Sequence, residues 1–102
     1  MVMDRLFSLM AEKKASDIFL APGSPIHIKI NGTSIPVNQQ KLDAEGIERL
    51  LQEILTERQW QEFLESRELN TGYGMRGVGS FRINVFRKRG SPACVIRYIP
   101  NE

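Results

Sequence analysis

Apolar residues recur at helical spacing at the start of the chain. Met3, Leu6, Phe7 and Met10 fall on one stripe, which predicts a short helix over residues 4–14 with Asp4 as its cap. Asp17-Ile18-Phe19-Leu20 then reads as a strand, stopped by Pro22-Gly23. Ile26, Ile28 and Ile30 alternate with His27 and Lys29, the period-two pattern of a half-buried strand. Asn31-Gly32 follows, a pair that tolerates positive φ at both positions and so predicts a two-residue hairpin turn. That turn sets Ile28 opposite Ile35 and Ile26 opposite Val37. Both pairs are apolar on one face, so turn and pattern demand the same register.

Asp43 opens a second helical stretch with Ile47, Leu50, Leu51 and Ile54 on one face. Thr56-Glu57-Arg58-Gln59 fits a capping box, which starts a third helix carrying Trp60, Phe63 and Leu64 inward. Trp60 and Phe63 have the spacing of a core stripe, a better reading than a ligand-stacking pair. The last third reads as strands. Leu69, Thr71 and Tyr73 alternate, and after a glycine-rich stretch Phe81, Ile83 and Val85 alternate with Arg82, Asn84 and Phe86. A final strand spans 92–99 after a tip at Lys88–Ser91. The whole predicts an α+β fold, an antiparallel sheet of about six strands packed with three helices in the order α-β-β-β-α-α-β-β-β.

Length and composition narrow the function classes. At 102 residues the chain makes one domain, and 41% hydrophobic with 25% charged residues is ordinary for a globular protein. Fourteen basic against twelve acidic side chains give +2, too even a balance for a nucleic-acid binder. One cysteine, Cys94, excludes an internal disulfide and a cysteine-based zinc site, and one histidine, His27, excludes a histidine cluster. No stretch reaches the roughly 18 apolar residues of a membrane span, and the N-terminus lacks a signal-like run, which points to the cytoplasm. The charges are unevenly spread. Residues 43–68 carry eight acids against three arginines, net −5, and residues 69–102 carry six basic residues against one acid, net +5.

Little in the chain looks catalytic. Gly72-x-Gly74-x-x-Gly77 matches the dinucleotide fingerprint as a string, but a strand follows it where a helix N-terminus would have to hold the pyrophosphate. It reads as a hairpin loop. No Walker-type phosphate loop occurs, and one histidine on the polar phase of a strand, expected exposed, offers no triad. Cys94 between Ala93 and Val95 reads as a small buried residue. The chain alone is not expected to be an enzyme, and neither a catalytic nor a metal-ligating residue is assigned.

One pair of residues does carry chemistry. If the Lys88–Ser91 tip closes in a two- or four-residue loop, Arg82 lies directly opposite Arg97 and Asn84 opposite Val95. Like charges facing each other across a sheet repel, and such a pair is relieved by an anion or by carboxylates. Phosphate suits it, because guanidinium forks match its oxygens. Splaying into water, or pairing with the acidic helices, is the competing reading. Arg87-Lys88-Arg89 reads as a solubilising tip.

Four ordered motifs make the chain recognisable: Ala15-Ser16-Asp17-Ile18, Ile30-Asn31-Gly32, Gly79-Ser80-Phe81-Arg82-Ile83-Asn84-Val85-Phe86 and Val95-Ile96-Arg97-Tyr98-Ile99-Pro100. Together they resemble the N-terminal domain of the PilT/PilU-type retraction ATPases of type IV pili. The resemblance implies a PAS-like domain over residues 1–99, with residues 100–102 leading to a RecA-like ATPase domain in a cytoplasmic hexameric motor at the inner membrane. It implies that Arg82 and Arg97 reach the phosphates of ATP, bound with magnesium on the second domain, like arginine fingers. The partners it implies are ATPase domains of the same and neighbouring subunits and the pilus inner-membrane platform protein. No cofactor is expected of these residues by themselves. Met1 leads straight into the first helix, which favours the retraction branch, and Phe19 stands where PilT-like members commonly carry histidine, which places the chain nearer PilU. The competing functional class is a stand-alone PAS-like sensor with a small ligand inside the fold. Head-to-tail contact between acidic helices and basic strands of neighbouring subunits is compatible with the motor.

Overall fold

The computed structural model describes residues 1–100. In chain order the elements are α1 (Val2–Lys13), β1 (Asp17–Leu20), β2 (His27–Ile30), β3 (Thr33–Pro36), α2 (Ala44–Ile54), α3 (Glu57–Ser66), β4 (Glu68–Met75), β5 (Gly79–Lys88) and β6 (Ser91–Pro100). This is the expected α+β order.

The helix ends follow local chemistry. Asp43 caps α2 through its side chain, accepting from the Gly46 N–H at 2.7 Å. At α3 the capping box is complete: Thr56 Oγ1 accepts from Gln59 N–H, and Gln59 Oε1 accepts from Thr56 N–H. The first helix departs from expectation, because it begins at Val2 and has no side-chain cap. One of its early N–H groups finds a partner elsewhere, Met3 N–H donating to Glu53 Oε1 on α2 at 2.9 Å. Asp4 sits within the first turn instead of preceding it.

The strands form one antiparallel sheet in the order β3-β2-β1-β6-β5-β4. Asn31 and Gly32 adopt φ of 49° and 80°, and the β2–β3 hairpin they close pairs Ile28 with Ile35 as the turn requires. Beyond the paired residues, Val37 N–H donates to Ile26 O at 2.8 Å, so the predicted facing continues. The decisive link is β1 against β6, a long-range pairing that sets the chain's first strand at the centre of the sheet.

One face of the sheet is the core. Ile18, Leu20, Ile28, Phe81, Ile83, Val85, Cys94 and Ile96 are all buried on it, under the helices. Phe7 of α1 stacks on Phe81 with ring centroids 4.0 Å apart, and Tyr73 and Tyr98 tilt against the pair at 5.4 and 5.1 Å. Trp60 and Phe63 are buried as well, the core role expected of them. Leu64, expected inward, is 42% exposed. The ten-residue α3 meets the sheet along a narrow stripe, and Leu64 lies about 100° around the helix from Phe63. Ile35 is also exposed, because all of the outermost strand β3 is solvent-facing. Pro100, expected in a linker, closes β6 opposite Gly79, while Asn101 and Glu102 lie outside the described residues.

The glycine-rich stretch is a hairpin, as read from its context. Gly72 and Gly74 lie within β4 and Gly77 turns the chain at φ 80°. Gly79 is the constrained one: at φ 146° its missing Cβ would stand 2.8 Å from Ile99 O and 2.9 Å from the Tyr98 ring. Tyr98 is held there by its hydroxyl, which donates to Val78 O at 2.8 Å. Gly79→Ala is therefore expected to cost at least about 2 kcal/mol, whereas Gly74→Ala, which meets open space, stays within about 1 kcal/mol. Urea unfolding of the two variants measures the difference.

Candidate anion-binding site

Burial of alternate residues on β5 and β6 decides what faces out. With Ile83 and Ile96 turned to the core, Arg82 and Arg97 project from the opposite face, which the helices leave open. The connecting turn has two residues, Arg89 at φ 52° and Gly90 at φ 82°, with Lys88 paired to Ser91. Arg82 and Arg97 are therefore direct cross-strand partners, and Asn84 faces Val95. Both arginines are exposed.

Following that row across the sheet, Lys29 faces Asp17, Asp17 faces Arg97, Arg97 faces Arg82 and Arg82 faces Gly72. Three cations thus share the row with one carboxylate. Asp17 Oδ1 accepts from Arg97 Nε at 3.4 Å, a long hydrogen bond, and no ion pair to Arg82 is present among the described residues. The sequence reading anticipated the arginine pair and missed Asp17. Nothing local points to it, since the β1–β6 pairing joins residues 80 apart; its one signal is an acid heading an otherwise apolar strand.

The next row holds Asn70, Asn84, Val95 and Phe19. Asn84 Oδ1 is buried without a hydrogen-bond partner, an acceptor whose desolvation is uncompensated. Asp17, Asn70, Arg82, Asn84, Val95 and Arg97 line a shallow open hollow of 360 Å³. The charged N–H donors of Arg82 and Arg97 can hold an oxyanion in this hollow, whereas Asn84 Oδ1, itself an acceptor, cannot bind one and calls for a donor.

The other candidates fall away from this face. His27 is half-buried, not exposed as expected, with Nδ1 2.9 Å from Pro25 O. Arg87, read as part of the tip, turns back to stack over the Phe63 ring at 4.6 Å and donates to Gly90 O. Cys94 is 1% exposed, and burial pushes its thiol up from 9.0 to about 12.

No family model matches the chain. The type IV pilus ATPase PilU of Pseudomonas aeruginosa is 34% identical over 99 residues, which cover 97% of this chain and 26% of PilU. The type IV pilus retraction ATPase PilT of the same organism is 28% identical over 102 residues, all of this chain and 30% of PilT. The crystal structure of the pilus retraction motor PilT with bound ADP matches with a TM-score of 0.83 at 30% identity, covering 99% of this chain and 29% of that one.

The chain belongs to the PilT/PilU family.

It corresponds to the N-terminal domain of that family, and its higher identity to PilU than to PilT agrees with Phe19 at the position where histidine was the PilT-like expectation. The Legionella pneumophila ATPase DotB shares the fold, with a TM-score of 0.82 at 23% identity. The chain spans between a quarter and a third of the length of the PilU and PilT chains it matches.

Two outcomes follow for this PilT/PilU domain. Replacing Arg82 by Gln relieves like-charge repulsion, so it raises the urea midpoint at low salt, and the gain closes at high ionic strength. Cys94 governs part of the alkaline limit. Below pH 9.0 the thiol is neutral in both states; between 9.0 and about 12 the unfolded chain loses the proton and the folded chain keeps it. Stability therefore falls through that window. In Cys94→Ala that part of the decline is absent, so the gap to wild type, measured by urea unfolding, narrows above pH 9.

Proposed function

We propose that this domain is the phosphate-sensing module of a type IV pilus retraction ATPase. Arg82 and Arg97 close onto the phosphates of ATP and magnesium held by a RecA-like ATPase domain, for which residues 1–99 form the N-terminal partner. The parent is a cytoplasmic homo-hexamer at the inner membrane, working against the pilus platform protein. The observation that carries this reading is the arginine pair: two cross-strand guanidinium groups on the open face, with a single carboxylate beside them. An isolated pair of like charges is costly, and a polyphosphate between the two converts the repulsion into two charge-assisted contacts. Supplied from outside the nucleotide pocket, such groups stabilise charge that develops during phosphoryl transfer and make that stabilisation conditional on domain closure.

The ADP-bound PilT structure supports nucleotide as the ligand class. The sensor alternative requires room between sheet and helices, where Phe7, Phe63, Phe81, Met3 and Met10 are fully buried against one another and their neighbours. The open face is the better place for a ligand.

In the full-length parent, Arg82→Ala and Arg97→Ala are each expected to lower ATP turnover by about tenfold or more. The same substitutions leave the 102-residue chain folded, since both side chains are exposed. Steady-state phosphate release and circular dichroism check the two halves. Unchanged turnover in both variants removes the phosphate-contact role.

A further inference from the structure

Asp17 is the one buried charged residue among those described, 6% exposed, and it lies on the open face between Lys29 and Arg97. Its two oxygens go to different donors. Oδ1 accepts from Arg97 Nε at 3.4 Å, and Oδ2 accepts from Ser16 Oγ at 2.7 Å. The backbone fixes this arrangement on both flanks: Ser16 N–H donates to Lys29 O, and Tyr98 N–H donates to Ser16 O. The carboxylate is thus held within the sheet while the guanidinium it touches remains 73% exposed by side chain.

The atom engaged matters. A guanidinium offers five N–H groups in a rigid plane, one on Nε and four on the Nη atoms. The recorded contact uses Nε alone, so the Nη groups stay available for an incoming oxyanion. Arg82, the neighbour across the strand, has no such tether among the described residues.

We propose that Asp17 is a positioning residue for Arg97: its Oδ1 restrains the guanidinium through Nε and leaves the Nη groups as a preformed fork for phosphate, beside a freely moving Arg82. This rests on the phosphate-contact reading above. Two effects of Asp17 oppose each other. Its negative charge lowers the affinity of the face for any anion, whereas restraint of Arg97 removes the conformational cost of ordering a long side chain at the moment of contact. Positioning requires that the second effect dominate. The acceptor oxygen is what counts, and an asparagine retains one.

The test combines mobility in this chain with turnover in the parent. In the 15N-labelled 102-residue chain, the Arg97 Nε–H order parameter exceeds that of Arg82, Asp17→Ala abolishes the difference, and Asp17→Asn preserves it. In the full-length parent, Asp17→Ala lowers ATP turnover about five- to tenfold despite removing a negative charge, while Asp17→Asn restores most of it. Equal mobility of the two Nε–H groups in wild type overturns the proposal, and so does an Asp17→Asn variant as impaired as Asp17→Ala. Should Asp17→Ala not fold, the wild-type mobility comparison decides by itself. If Arg97→Ala leaves turnover unchanged, the phosphate reading fails and the fork with it. If Arg97→Ala impairs turnover and Asp17→Ala does not, only the role of Asp17 is lost.

Discussion

The register of β5 against β6 is the constraint on which the rest depends. It is set in a two-residue turn whose first position, Arg89, adopts a left-handed conformation. Moving β6 by one residue would turn Ile96 and Cys94 to solvent and press Arg97 against Phe7 and Phe81. Magnitudes show why the arginine pair survives. Burying each of Cys94, Ile96, Ile83 and Val85 is worth on the order of 1–3 kcal/mol, while like charges facing across an exposed sheet cost a few tenths to 1 kcal/mol. The core forces the arginines outward together, and the repulsion is the smaller term.

Most of this architecture was legible in the residues, for reasons that differ by element. The β2–β3 hairpin follows from local rules, since its Asn-Gly turn leaves one register open and the apolar alternation agrees with it. The β5–β6 register stayed conditional on loop length until the structure closed that tip with the two residues Arg89 and Gly90. Helix α3 follows from its capping box. The failures have a common origin. The early start of α1 depends on Glu53, fifty residues away, which satisfies Met3 N–H. The exposure of Leu64 depends on how α3 sits over β4, and the inward turn of Arg87 depends on Phe63 beneath it. Each is a contact between elements, and pattern along the chain carries no information about it.

The candidate site divides in the same way. Arg82 and Arg97 were accessible because they sit on one hairpin. Asp17 was not, because the β1–β6 ladder that brings it to Arg97 is closed only when the whole sheet is assembled. Ala-Ser-Asp-Ile and Ile-Arg-Tyr-Ile-Pro, distant in sequence, pair across one ladder, Asp17 opposite Arg97 and Ile18 opposite Ile96, so each motif is the structural context of the other.

The sheet also divides the molecule's charge. Exposed Glu45, Glu57, Glu62 and Glu65 lie on the helices of one side, and Arg82 and Arg97 on the other. The domain consequently carries an electric dipole directed through the sheet. A polyanion approaching in dilute salt experiences a torque that presents the arginine side before any contact forms, and at about 0.1 M salt this orientation is felt only within the last 10 Å or so.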